Sequence, residues 1–236
     1  MGADASKSCE RGRATAVESV VFGMRIEFIE LLRCPASHEL SPLITVASKR
    51  AGEHLLDATL GCVVCGAEYE LRDGVAYLTN EMSVATSNVV DTIDPMRIAA
   101  LLALTDGSAR ALLCGAAASV SSEIESLIGA RVAGVNAPVE SMLEHELVDV
   151  IRLTPRAMIP LATASLQGLA VDARHASLLV DAARVVRRGG RVLGPLSAAV
   201  PLGCRELARD SHEWVAEVES APSAPIALKR ATEPRS

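Results

Sequence analysis

The sequence predicts an α/β architecture, in which a small β-rich unit built around a metal knuckle precedes a mostly parallel sheet with helical crossovers. Three observations predict it. Cysteines cluster at knuckle-like spacing between Cys34 and Cys65. From residue 94 onward, helix-like and strand-like segments alternate, as a parallel sheet requires. Half of the 236 residues are hydrophobic and only 2% are aromatic, so the core must be built from Ala, Val, Leu and Ile rather than from rings.

That length suits a small domain joined to a medium one. Composition divides the chain into a flexible leader (1–23), the β-rich unit (24–80), a linker (81–93), the α/β domain (94–231) and a tail (232–236). A net charge of −6 with a pI near 5.4 argues against a general nucleic-acid binder, which would carry a basic stripe. A nucleic-acid partner is expected only if another subunit supplies the basic surface. No run approaches the roughly 18 apolar residues of a membrane span, and the leader lacks the long apolar region of a signal peptide. Six cysteines fit a reducing compartment, so a cytoplasmic protein is expected, with a Cys114–Cys204 disulfide as the open alternative.

Residues before Met24 lack periodicity, and Met24 itself is an expected physiological start. "MRIEFIELLRCP" alternates apolar and polar residues like a strand that runs into a metal turn. In "RCPASHEL" a serine, Ser37, stands where a C-P-x-C knuckle has its second thiolate. "GCVVCG" is intact, and Gly66 lets its chain turn back. "AEYELRDGVAYL" reads as two strands around an Asp73-Gly74 turn. "TNEMSVATSNVVDTIDP" is polar and reads as the linker. "PMRIAALLALT" is then a helix, "ARALLCGA" a strand, "SSEIESLIG" a helix and "ARVAGVNA" a strand. "LQGLAVDA" is a buried strand, "ASLLVDAARVVRRGG" a helix closed by glycine, and "RVLGPL" another strand.

The missing knuckle ligand has a replacement. His38 lies four residues after Cys34, and an imidazole nitrogen serves zinc as well as a thiolate, so Cys34, His38, Cys62 and Cys65 form a Cys3His set. Two alternatives stay open: a metal-free relic held by packing, and a redox pair of Cys62 and Cys65.

The stretch "IELLRCPASHEL … LGCVVCGAEYELRDGVAYL" resembles the short zinc-ribbon family that includes the activator subunit of tRNA and ribosomal methyltransferases. The match is an L-L-x-C-P opening followed by C-x-x-C-G-x-x-Y-x-[IL]-x-D-G-[IV]-x-x-L, here Cys62 to Leu78. It implies a ribbon that recruits or stabilises a methyltransferase, hence a protein partner reached through the ribbon. Some bacterial proteins carry both on one chain.

The region from Asp94 to Arg230 resembles the class I methyltransferase domain that uses S-adenosylmethionine, which implies a Rossmann-like sheet with an antiparallel end hairpin. "HEWVAEVES" and "IALKR" are the candidates for that hairpin. The glycine-rich cofactor turn is represented by "LCGAAAS", where Gly115 survives and Ala117 and Ser119 replace glycines. Leu113 stands where the family has an acid, Asn136 takes the place of the ribose-binding acid, and Gln167 that of an aspartate. "AARVVRRGGRVL" resembles the family's entry into the fifth strand. Asp172, Arg174 and His175 follow the fourth strand, where open α/β sheets bind ligands, although an ordinary solvated helix start would look the same. No catalytic residue is assigned, because methyl transfer from a sulfonium is largely a matter of positioning.

Architecture is kept while polar cofactor residues are lost. One expectation is therefore a non-catalytic binding or regulatory module with a zinc ribbon; the alternatives are an active methyltransferase with an atypical cofactor turn and a ribbon-based redox protein.

Overall fold

A computed structural model describes residues 23–79, 93–138, 149–154 and 158–219. The linker, apart from Ile93, lies outside them, as do the tail, "IALKR" and all of the leader except Gly23. Five strands belong to the N-terminal unit: β1 (Met24–Arg25), β2 (Leu43–Ala51), β3 (His54–Cys62), β4 (Glu68–Arg72) and β5 (Val75–Tyr77). The β4–β5 hairpin turns at Asp73-Gly74, whose φ angles of 48° and 76° are those of the expected tight turn.

"MRIEFIELL" is strand only at its start. It continues as helix α1 (Ile26–Ile29), because Phe28, Ile29 and Leu32 recur at helical spacing and all three enter the core. Helices α2 (Pro95–Leu101) and α3 (Ser121–Ile128) form where the sequence predicts them. Asp94 caps α2 by accepting the backbone N–H groups of Met96 and Arg97.

The second half contributes β6 (Arg110–Cys114), β7 (Arg131–Val135), β8 (Val150–Arg152), β9 (Leu166–Val171), β10 (Val186–Pro195), β11 (Cys204–Arg209) and β12 (Glu213–Val218). Strands β8, β7, β6, β9 and β10 are neighbours in that order and run parallel. β12 joins β10 antiparallel, and β11 closes the sheet antiparallel to β12. This is a Rossmann-like methyltransferase sheet with an antiparallel end hairpin.

The second half also differs in detail from the sequence reading. The strand that forms the end hairpin with β12 among the described residues is β11, a strand not foreseen. The helix predicted for "ASLLVDAARVVRRGG" is a 3-10 segment (Ala173–Asp181) and a single turn, α4 (Ala182–Val185). Strand pairing already starts at Val186, and the glycines lie in a bulge between Val186 and Arg191. A side chain on Gly190 would sit 2.5 Å from the Gln167 carbonyl oxygen, so the close strand contact requires glycine there.

The two halves share one sheet. β5 pairs in parallel with β8, Val75 to Val150 and Tyr77 to Arg152, and the result is a continuous twelve-stranded sheet. Arg25 pins this junction: its backbone N–H donates to Asp149 at 2.6 Å, and its guanidinium pairs with Asp149 and Glu125. Burial pushes the Asp149 carboxyl up to about 7 against the pull of Arg25. Phe28, Ile29 and Leu32 share a core with Leu112, Leu169, Val192 and Trp214, while α2 and α3 cover the other face. Among the described residues no helix is long and apolar enough to cross a membrane.

Candidate metal centre and cofactor edge

The knuckle brings all four predicted ligands together. The ligand atoms of Cys34, His38, Cys62 and Cys65 lie within 4.8 Å of one another. Cys34 Sγ is 3.7 Å from Cys65 Sγ, and His38 Nε2 is 3.2 Å from Cys34 Sγ and 3.4 Å from Cys62 Sγ. A tetrahedral ion with bonds of about 2.3 Å to sulfur and about 2.0 Å to nitrogen has edges of about 3.8 Å and about 3.5 Å. The donor set and its spacing therefore fit an ion of that kind. Ser37 is exposed and stands outside the cluster.

Surrounding groups prepare the ligands. His38 Nδ1 lies 2.6 Å from the Glu39 carbonyl; donating its proton there turns the Nε2 lone pair toward the sulfurs and raises the imidazole pKa. Backbone N–H groups of Cys65 and Val64 help lower the Cys62 thiol to about 6, which favours the thiolate a metal needs. The Tyr69 hydroxyl stands 3.5 Å from Cys34 Sγ, and burial together with the nearby sulfurs pushes its pKa up.

At the C-terminal ends of β6, β7 and β9, the structure brings together Gly115, Asn136, Asp172 and His175. Asp172 accepts from the Ala116 N–H at 3.1 Å, from the His175 N–H at 3.0 Å and from His175 Nδ1 at 2.6 Å. Burial raises its pKa, but the bonds from His175 and Ala116 outweigh this and hold the carboxyl below the usual range. His175 Nε2 faces Asn136 Nδ2 at 3.3 Å. Asn136 is left-handed, with φ 50°, and clasps Leu153 from both sides: its Nδ2 donates to the Leu153 carbonyl at 2.9 Å and its Oδ1 accepts the Leu153 N–H at 3.0 Å. Both Asn136 and His175 are buried. At Gly115, with φ 67°, a side-chain carbon would lie 2.0 Å from Asp172 Oδ2 and 2.6 Å from His175 Nδ1.

The other predicted positions fall elsewhere. Ala117 lies in the 3-10 turn Gly115–Val120 and lines a cavity of about 640 Å³ with Arg97, Ile98, Ala116, Asp172 and Leu193. Gln167 is the second residue of β9, at the edge opposite the carboxyl ends of the strands; it donates to the Ala103 carbonyl at 3.2 Å and accepts from Arg187. Arg174 is exposed, whereas His175 is not the solvated residue that an ordinary helix start would carry. Its only signal in the sequence was its place after the fourth strand. Cys114 and Cys204 are free thiols, and burial pushes the Cys114 pKa up.

No protein-family model and no curated relative matches the chain. Solved structures do. A chain from the complex between the Haloferax volcanii Trm112 methyltransferase activator and a methyltransferase is 9% identical, with 52% of this chain and 88% of that chain covered and a TM-score of 0.40. The antibiotic-resistance methyltransferase Kmr is 13% identical over 57% of this chain and 97% of its own, with a TM-score of 0.36. Geranyl diphosphate C-methyltransferase from Streptomyces coelicolor A3(2), in complex with Mg2+, geranyl diphosphate and S-adenosyl-L-homocysteine, is 14% identical, with 42% of each chain covered and a TM-score of 0.33. This chain thus spans less than half the length of that enzyme, and all three are likenesses of fold alone. By its own strand order and directions, the chain has a Rossmann-like methyltransferase fold, joined through one sheet to a unit that carries a Cys/His cluster able to hold a metal.

Proposed function

We propose that this protein is a methyltransferase-shaped, non-catalytic binding module whose ribbon holds a structural zinc ion. The observation that carries the reading is Asn136. Both polar ends of its side chain are engaged, by Leu153 and by His175, at the position where a ribose-binding acid would stand. A ribose hydroxyl would have to displace these bonds, each worth about 0.5–1.5 kcal/mol, and would gain only a neutral partner in return. The residues present do not fit the ribose of S-adenosylmethionine, and no catalytic step is assigned.

Zinc would be held by Cys34, His38, Cys62 and Cys65. Four protein ligands leave no open coordination position, the mark of a structural site. Zinc thiolates suit the reducing cytoplasm, where we place the protein. The ribbon's pairing of β5 with β8 supports an activator-like role inside the chain: it covers a sheet edge that would otherwise be exposed. A further protein partner would then use a different face of the ribbon.

A second reading, an active methyltransferase with an atypical turn, rests on the cavity beside Ala117 and Asp172. Calorimetric titration of metal-analysed protein with S-adenosylmethionine and its demethylated product separates the two. We expect no heat up to millimolar ligand from folded protein, and micromolar binding of either ligand would establish the second reading instead.

A further inference from the structure

We infer that the metal centre fastens the crossover between β8 and β9, so that the metal-binding equilibrium also governs the order of the methyltransferase-like half. The inference rests on the zinc reading above. In a parallel sheet a crossover is usually a helix that covers one face. Here the described crossover residues 153–154 and 158–165 contain no helix, and the segment around Leu161, which turns through an N–H bond from Leu161 to the Ile159 carbonyl at 2.8 Å, is held from two sides.

One side is the knuckle arm. The Arg33 N–H donates to the Pro160 carbonyl at 2.8 Å, the Ala162 N–H donates to the Leu31 carbonyl at 2.9 Å, and Leu32 and Leu161 form an antiparallel bridge. Leu32, Ile159 and Leu161 are fully buried. The next residue along the arm is Cys34, a metal ligand, whose own N–H is tied to the Ser41 carbonyl at 2.9 Å.

The other side is Arg184. Its guanidinium donates to the carbonyls of Leu161 and Ile159, both at 2.6 Å, and pairs with Asp181. Asp181 in turn accepts the Ile159 N–H at 3.1 Å. Asp181 ends the 3-10 segment that carries His175, so the clasp around Leu161 joins the knuckle to the element that fills the cofactor edge. If the knuckle opens, the arm loses its anchor at Cys34, and the crossover loses both backbone bonds to the arm. Arg184 is the positioning residue that transmits this loss.

Linkage sets the size of the effect: a metal present at 100 times its dissociation constant favours the closed form by about 100-fold. The test is amide hydrogen exchange on the full chain, zinc-loaded and then stripped with a chelator. We expect exchange at Arg33, Ile159 and Ala162 to accelerate together, by up to about 100-fold under that loading, and to recover when zinc is restored. Cys65→Ser removes a ligand at the exposed end of the knuckle and should exchange like stripped protein even with zinc present. By reciprocity Arg184→Gln should weaken zinc binding in competition with a chelator of known affinity; if that variant does not fold, the exchange experiment decides. Zinc uptake with Ile159 and Ala162 still protected after stripping would overturn the inference and leave the zinc reading intact. A chain that takes up no zinc would overturn both.

Discussion

At the scale of single residues, Asn136 decides how the cofactor edge is read. From the sequence it takes the place of the ribose-binding acid. In the structure its Nδ2 is a required donor to Leu153, so Asn136→Asp sets a carboxylate against a carbonyl oxygen. We expect about 1–3 kcal/mol of lost stability in urea unfolding, with no gain of S-adenosylmethionine binding. Gly115→Ala should cost about 1–3 kcal/mol for the left-handed backbone alone, before Asp172 is displaced; thermal unfolding would register it. The Asp172 carboxyl is held below its ordinary pKa of about 4, so it adds stability above that pH, which is lost as pH falls through the lower folded value. Asp172→Asn should therefore flatten the acid limb of the stability profile, measured as urea midpoint against pH. The Cys/His cluster of Cys34, His38, Cys62 and Cys65 was legible in the sequence because two-residue and four-residue spacings on turns bring each pair together locally. Gln167 was misplaced because a strand's letters do not say which end carries the ligand, and the environment of His175 depends on β7, some forty residues away in sequence.

At the scale of elements, the strands were legible where burial on both faces leaves an apolar run, as in the last four residues of β6 and of β9. The element after β9 was not. "ASLLVDAARVVRRGG" has helical spacing, but pairing of β10 with β9 begins at Val186 and takes over its second half. Tertiary pairing overrode local pattern there. β8 was also missed, since three residues carry too little periodicity to stand out. It owes its position to β5 on one side, β7 on the other, and Arg25 bonded to Asp149 just before it. Arg25→Ala would leave Asp149 fully buried without its cation, and chemical denaturation should show a loss of about 3–5 kcal/mol.

At the scale of the whole molecule, the sequence divides the chain by composition, whereas the sheet runs unbroken across the division. Periodicity sees each strand alone and cannot show that β5 continues onto β8. Residues 80–236 expressed alone would expose that edge and the face covered by Phe28, Ile29 and Leu32. We expect such a fragment to be collapsed and dye-binding without near-ultraviolet dichroism, whereas a sharp, native-like spectrum would show that the second half folds unaided. The same continuity bears on how the chain is made. Leu31 and its partner Ala162 are 131 residues apart. At ribosomal rates of about 5–20 residues per second, the N-terminal half emerges roughly 7 to 26 seconds before the strands that shelter it. During synthesis, then, the N-terminal unit is a nascent segment with its apolar side uncovered, and its need for a chaperone should be greatest before the crossover to β9 leaves the ribosome.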